Sequence, residues 1–516
     1  MPTNSYDLIV VGDDLAGLCC AALCARRGLR TLVVTREDQP ARYTLGPFKL
    51  PVEPGAMPGR GTGGAARVVR ELGLDHALKR RARDVRTAVQ IVGPDLRIDL
   101  ASDVAMQTRE LERETPPTAA TTLAAWEAAA AVAHAADHIL DGEDAFPGVG
   151  FFERRDVVKQ AARAAEVAQT WWASVTSAAA PVAAITRAAA AIGGRAVDPA
   201  PIAIARALEL WRQGAPPLRG DGTGIRELLL EKLAAANGEV RTGSVSELVQ
   251  GWSKITAVRL GSGEELGAGQ VVAATSLAGV IEMFGKKPPK GLVELAEAQR
   301  RIGWRYTLNL VVDAAAVPEG MAPTVLVLGD NETDAGGASN GANSDARDGF
   351  AIHAGEADDQ GRVLVTIAAF LPATDDEATG DGPDTAKLAP RTAVLRARLL
   401  AALDGVMPYF ADHLVLVHSP HEAVAPIASG RGSYEVGRGL PAVMPSVWRG
   451  TLEGAAGLAA APYASGVKNL TLASSQVLTG LGLEGDLVCG WNAARVACNV
   501  AGKKRDYLKD EIVTAS

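Results

Sequence analysis

The string Gly12-Asp13-Asp14-Leu15-Ala16-Gly17 has the outline of a turn that carries a dinucleotide. In a G-x-G-x-x-G turn between a strand and a helix, the first glycine allows a tight turn. The second lets backbone N–H groups approach a pyrophosphate, and the third lets helix and strand pack closely. The pyrophosphate then rests on the helix N-terminus, where unpaired N–H groups and the helix dipole favour an anion. Here the first and third glycines are present and Asp14 stands at the second, where the phosphate would come closest. A carboxylate roughly 4 Å from a phosphate charge costs about 4 kcal/mol at an effective dielectric near 20. Asp13 and Asp14 are also residue types that satisfy a helix N-terminus themselves, so the sequence predicts an anion site filled from within. At the end of the second strand, an acid would bind a ribose hydroxyl. Thr35 holds that place, followed by Arg36, a pair better suited to a 2′-phosphate such as that of NADP.

The elements that must hold this turn are legible around it. Tyr6–Val11 is a short apolar strand, Leu15–Arg27 an apolar helix stopped by Gly28, and Thr31–Val34 a second strand, together a βαβ unit that opens a parallel sheet. The stretches 118–140 and 156–211 are Ala-rich with recurring Arg, Glu and Trp and predict an inserted helical layer. A helix over Ile225–Ala236 ends at Asn237-Gly238, and strands follow at Glu239–Arg241, Ser246–Gln250, Thr256–Leu260 and Gln270–Ala274. Alternation in Tyr306–Val312, Thr324–Leu328 and Arg362–Phe370 predicts a second, antiparallel sheet. Polar stretches at 329–348 and 373–384 read as surface loops, and the last segment as a strand near 470 and a helix from about Asp486.

A chain of 516 residues at roughly 150 per domain gives about three domains, or two with one interrupted. With 52 Lys and Arg against 60 Asp and Glu, the net charge of −8 provides no basic footprint, so nucleic acid is not the expected partner. Five cysteines, three of them in one apolar helix, fit a reducing compartment, and the N-terminus lacks the pattern of a secretory signal, so the expected location is cytoplasmic. His134 and His138 have two-histidine metal spacing but no evident third ligand, and read as a solvated or capping pair, so no metal is expected. His418 and His421 read as loop surface, and Trp171-Trp172 equally as core or as the wall of an apolar tunnel. No Ser-His-Asp arrangement, phosphate-binding Walker loop or Cys-x-x-Cys pair is present, and the sequence names no catalytic side chain.

Three segments together resemble the phytoene desaturase family of flavin-dependent oxidoreductases, within the amine-oxidase-like superfamily. They are YDLIVVGDDLAGLCCAALCARRGLRTLVV near the N-terminus, GDGTGIRELLLEKLAAANGEVRTGSVSEL at 220–248 with ITAVRLGSGEELGAGQVVAAT after it, and GVKNLTLASSQVLTGLGLEGDLVCGWNAARVA at 466–497. The resemblance covers most of the length and implies an α/β, glutathione-reductase-type fold. A Rossmann-like dinucleotide-binding domain would be assembled from 1–75, 215–285 and 455–510. An antiparallel-sheet and helical substrate domain would be interleaved from 76–214 and 286–454, with its helical insert near 118–212.

The resemblance also implies FAD, held at Gly12, Asp13, Asp14, Gly17, Thr35 and Arg36, with the backbone of Val245 on the adenine. Arg36, Lys49 and Arg60 lie in segments that the family places near the cofactor. Ala473-Ser474-Ser475 match an Ala-Gly-Asp whose Asp binds the flavin ribityl chain or pyrophosphate, and Gly480, Gly482 and Gly485 would begin the helix facing the isoalloxazine. Three positions depart from the family at the same ligand: Asp14 for glycine, Thr35 for an acid and Ser474-Ser475 for Gly-Asp. Two functions are expected from this pattern. One is a flavin-dependent oxidoreductase acting on an apolar, isoprenoid-like substrate with peripheral membrane contact, where hydride abstraction is the cofactor's chemistry. The other is a flavin-free relative that serves as a scaffold for an apolar ligand or a protein partner.

Overall fold

The computed structural model describes residues 4–36, 41–53, 63–93, 95–101, 103–142, 144–149, 151–178, 183, 186, 199–212, 218–219, 224–328, 349–379, 385–425, 427–428 and 440–501. The polar stretch at 329–348, residues 380–384 of the second one, and Arg60 lie outside these.

The opening unit forms where its apolar pattern places it. Strand β1 (Asn4–Val11) alternates at its start and is continuously buried from Leu8, as a strand covered on both faces should be. Helix α1 (Leu15–Arg26) buries every residue from Ala16 to Ala25, so it is an interior helix and not a surface one. Gly28, at φ +81°, ends it: the Gly28 N–H donates to Ala25 O at 2.9 Å and the Leu29 N–H to Cys24 O at 3.1 Å, the paired bonds of a Schellman cap. Strand β2 (Thr31–Thr35) then runs parallel to β1.

Seven strands form the first sheet, in the order Glu239–Thr242, β2, β1, Glu265–Ala273, Ile255–Leu260 and Val245–Gln250, with Leu470–Leu472 also paired to Glu265–Ala273. The strands from Glu239–Thr242 to Leu470–Leu472 run parallel to one another, and the last two add antiparallel. A nine-stranded, mostly antiparallel second sheet is built on Arg301–Asp313, which pairs with Arg362–Pro372, Leu414–His418 and Ser446–Trp448. Its far edge, Val89–Gly93 and Leu96–Leu100, and the hairpin Arg42–Leu45 with Phe48–Pro51 were not expected from the sequence; these strands are only four or five residues long, although RYTL and LRIDL do alternate.

Helices Ala119–Ala135, Phe151–Thr176 and Pro201–Arg212 form the expected helical layer. Trp171 is buried there and donates its Nε1–H to Ala125 O at 2.9 Å, so it is a packing residue. The last helix (Gly482–Val500) starts four residues before the expected Asp486. Gly482 opens it, as the resemblance implies, and inside its first turn Gly485 must be glycine because a Cβ there would stand 2.3 Å from Leu478 O.

This last helix is tied to the helical layer by a buried ion cluster. Arg206 donates Nε–H to Glu484 Oε2 at 2.9 Å, bonds Glu484 Oε1 through Nη2, and sends Nη1 to Ala133 O at 2.6 Å and Asp137 Oδ1 at 2.9 Å. Arg206 and Glu484 are each 3% exposed. Removing one partner of such a pair leaves a buried, uncompensated charge. Arg206→Ala is expected to lose about 3–5 kcal/mol in urea unfolding, and Arg206→Met with Glu484→Met should lose much less. An equal loss in both variants would show that the cluster acts through packing alone.

Candidate functional site

The parallel strands of the first sheet all end at one edge. In the register, Val11 lies opposite Val34 and Ala273, Thr35 opposite Thr242, and Ala273 opposite Leu472. The segments that leave these strands are therefore neighbours: Gly12–Asp14, Thr35-Arg36, Gly243–Val245, Ala274-Thr275 and Ala473–Ser475. In open α/β sheets the ligand crevice lies outside the carboxyl ends of the strands, so the sheet brings the sequence-predicted positions to one cleft.

The two retained glycines answer to the fold itself. Gly12 has φ +96° and donates its N–H to Val34 O at 2.9 Å, and a Cβ on it would stand 2.2 Å from Ala274 O. On Gly17 a Cβ would stand 2.1 Å from Ala274 Cβ. Both are thus demanded by the approach of α1 to the turn at Ala274, whether or not a ligand is bound. Asp14 occupies the position that only the ligand would require to be small.

Asp14 reaches across the cleft and is not a cap on its own helix. Its side chain makes no capping bond to α1. Instead Oδ2 accepts from the backbone N–H of Ser475 at 3.2 Å and lies 3.5 Å from the Ser475 hydroxyl. Asp13 turns the other way. Its Oδ2 accepts from Arg226 Nη1 and its carbonyl from Arg226 Nη2, both at 2.7 Å.

The cleft as a whole is acidic. Glu53 pairs with Arg305 as Asp13 pairs with Arg226, so each guanidinium is matched by its own carboxylate and Asp14 and Asp486 have no cation of their own among the described residues. Burial pushes the Asp14 carboxyl up to about 6, opposed by the Ser475 N–H and by Arg226 and reinforced by Asp13 and Glu53. Asp486, in the opening turns of the last helix, is pushed up to about 8 by burial and by Asp14 and Glu53, with Arg305 and Arg226 opposing. A site for a pyrophosphate diester needs free N–H groups and surplus positive charge. Here the Ser475 N–H is taken by the Asp14 carboxylate, which shares its field with Asp13, Glu53 and Asp486. These residues do not fit FAD.

Thr35 sends its hydroxyl to Arg241 O at 3.5 Å, and Arg36 and Lys49 are exposed. Val245 opens its strand, paired with Leu260. Ser474 is buried and its carbonyl faces Cys489 Sγ at 3.9 Å, while Gly482 adopts φ +56° at the start of the last helix. The cations and acids that set the field of the cleft, Arg226, Arg305, Glu53 and Asp486, were not singled out in the sequence. Arg226 sits in the 220–248 block and Asp486 in the final one, so the blocks pointed to the right segments without identifying the side chains.

Two other expectations change. His418 and His421 are buried, not surface residues. His418 Nδ1 meets the Tyr43 hydroxyl at 2.9 Å and His421 Nδ1 meets Ala442 O at 3.0 Å, and burial lowers both to about 4. All five cysteines are buried where α1 meets the last helix, with Cys24 Sγ 3.9 Å from Cys498 Sγ, and burial raises the thiols of Cys19 and Cys489, which keeps those two protonated and inert. His134 pairs with Asp137 at 3.2 Å, and among the described residues no His, Cys, Asp and Glu cluster could hold a metal. No described helix is long and apolar enough to cross a membrane.

The raised carboxyls have a measurable consequence. Folded protein holds a proton on Asp486 up to about pH 8, whereas the unfolded chain releases it near about pH 4. Between these values the folded state binds more protons, so stability falls as pH rises. Asp14 adds a smaller fall that ends near about 6. Asp486→Asn should therefore flatten the decline in urea-unfolding stability from pH 4.5 to pH 8, gaining most over wild type at the alkaline end. An unchanged slope would show that Asp486 titrates normally.

No protein-family model matches the chain, and no curated protein does. Solved structures do. Putrescine oxidase bound to putrescine matches at TM-score 0.53 and 15% identity over 97% of this chain and 100% of that one. Cyclohexylamine oxidase from Brevibacterium oxydans IH-35A matches at TM-score 0.54 and 16% identity, over 97% and 100%. An oxidoreductase from Methanosarcina mazei matches at TM-score 0.53 and 13% identity, over 94% and 98%. What is shared at these identities is architecture: the chain has the glutathione-reductase-type, dinucleotide-binding fold of the amine oxidases.

Proposed function

We propose that this protein is a flavin-free relative of the oxidoreductases whose fold it shares, a scaffold that binds an apolar ligand or a protein partner and does not turn over a substrate. One observation carries the reading: Asp14 Oδ2 accepts the Ser475 N–H at 3.2 Å, so a carboxylate of the chain holds the donor that a cofactor phosphate would need. The glycines support it. Those that the fold requires, Gly12 and Gly17, are kept, and the one that only the cofactor requires is lost. Arg226, the cation nearest the turn, is committed to Asp13.

A second reading, a phytoene-desaturase-like oxidoreductase using FAD on an apolar substrate, draws on the shared fold and on the presence of Arg226 and Arg305 in the cleft. It requires those guanidiniums to leave their own carboxylates for the cofactor. The visible absorption spectrum of the native purified protein separates the two, followed by titration with FAD at neutral pH. The scaffold reading expects no flavin bands and no saturable uptake. Flavin at near-stoichiometric level would overturn it. Asp14→Gly with Ser475→Asp should raise FAD affinity by at least about tenfold, the equivalent of about 1.4 kcal/mol.

A further inference from the structure

We propose that Glu110, Arg113 and Glu114 together stand in for a strand and cover a self-complementary sheet edge, and that two copies of the chain pair antiparallel through Leu96–Leu100 once these side chains are withdrawn. The inference is independent of what the cleft binds, because it concerns the far edge of the second sheet. Leu96–Leu100 ends that sheet: it pairs with Val89–Gly93 on one side, and among the described residues no strand lies on the other. An edge of this kind presents a row of unpaired N–H and C=O groups, a template for another chain.

Here the row is answered by side chains of helix Val104–Glu114. The Arg97 N–H donates to Glu114 Oε2 at 2.9 Å, the Arg97 carbonyl accepts from Arg113 Nη2 at 3.2 Å, and the Asp99 N–H donates to Glu110 Oε2 at 3.5 Å. Donor, acceptor and donor are met in the order in which a neighbouring strand would meet them. Arg113 also holds the two acids in place, donating from Nη2 to Glu110 Oε2 at 2.6 Å and from Nη1 to Glu114 Oε1. All three side chains belong to the C-terminal end of the helix, just before Thr115-Pro116-Pro117, so the edge is uncovered when that end alone lifts away.

The residues of the edge decide which occupant fits. A two-fold axis at Ile98 sets Leu96 opposite Leu100 of a second copy, and Arg97 opposite its Asp99, twice over. The contacts to the helix show that Arg97 and Asp99 are the residues whose backbone groups point outward. The same register therefore makes them hydrogen-bonded pairs across the axis, and backbone and charge agree on one alignment. Both side chains are open to it. Arg97 is exposed and its guanidinium donates to Gly320 O at 3.2 Å, while Asp99 accepts from the neutral donors Gln90 Nε2 at 2.7 Å and Thr87 Oγ1 at 3.2 Å. Neither forms a salt bridge among the described residues. An unrelated extended peptide would gain the backbone bonds without the matched charges, so the second copy is the favoured occupant.

Sedimentation equilibrium of the full chain over a concentration series tests this, wild type beside the triple variant Glu110→Ala, Arg113→Ala and Glu114→Ala. Self-association of the triple variant should be at least about tenfold tighter than that of wild type, with its mass rising toward that of two chains. Adding Arg97→Asp sets like charges opposite each other across the axis and should return the variant to monomer. Adding Asp99→Arg as well should restore the dimer, a recovery that a general loss of stability would not produce. If the triple variant is unfolded by circular dichroism, Glu110→Ala with Glu114→Ala serves in its place with the same expectations. A triple variant that stays monomeric, a dimer indifferent to Arg97→Asp, a charge exchange that fails to restore pairing, or a wild type that associates as tightly as the variant would each overturn the proposal.

Discussion

The first and last helices of this chain lie closer than ordinary side chains allow, and that contact places everything at the cleft. A Cβ on Gly490 would stand 2.5 Å from both Ala16 O and Cys19 Cβ, so the last helix can reach α1 only through glycine. Small, inert residues fill the rest of the contact: the cysteines and alanines of α1, all buried, and Cys489, Ala493, Ala494, Ala497 and Cys498 opposite them. Because the N-termini of both helices open toward the same edge of the sheet, close packing brings Asp14 and Asp486 into one electrostatic environment. The Arg206–Glu484 cluster then fixes the start of the last helix against the helical layer.

The placement of the glycines separates what a fold demands from what a ligand demands. Gly12 and Gly17 meet the same residue, Ala274, from two directions, and neither can accept a side chain without moving the turn that follows strand Glu265–Ala273. Between them, Asp14 also meets Ala274, through its N–H to Ala274 O at 3.3 Å, while its side chain reaches Ser475. Asp14 there places a carboxylate against the 473–475 turn. The carboxylate offers negative charge near a helix N-terminus and an acceptor for the Ser475 N–H.

Much of this was legible in residue order because it is local. The βαβ unit, its capping Gly28, the Ala-rich layer and the paired glycines all depend on neighbours within a few residues, and the three resembling segments meet in the first sheet. The destination of Asp14 was not local. As an acid before a helix it reads as a cap, yet its partner Ser475 lies 461 residues away. Arg226, Arg305 and Glu53 act through pairings of the same long-range kind. His418 and His421 failed for a related reason: Pro420 between two polar residues looks like surface, but the hairpin at Arg42–Pro51 covers the end of that strand and gives His418 a partner in Tyr43.

A cleft that gathers Asp13, Asp14, Glu53 and Asp486 must settle its own electrostatics. Pairing each added acid with a cation would restore neutrality, and Asp13 and Glu53 follow that course with Arg226 and Arg305. Asp14 and Asp486 follow another, in which the acid rises toward neutral pH and is held in part as the uncharged form. The second course is less stable at alkaline pH than full pairing, and it leaves the charge of the cleft dependent on protons. Across the cleft the Ser475 N–H donates to Asp14, a carboxylate that burial raises to about 6.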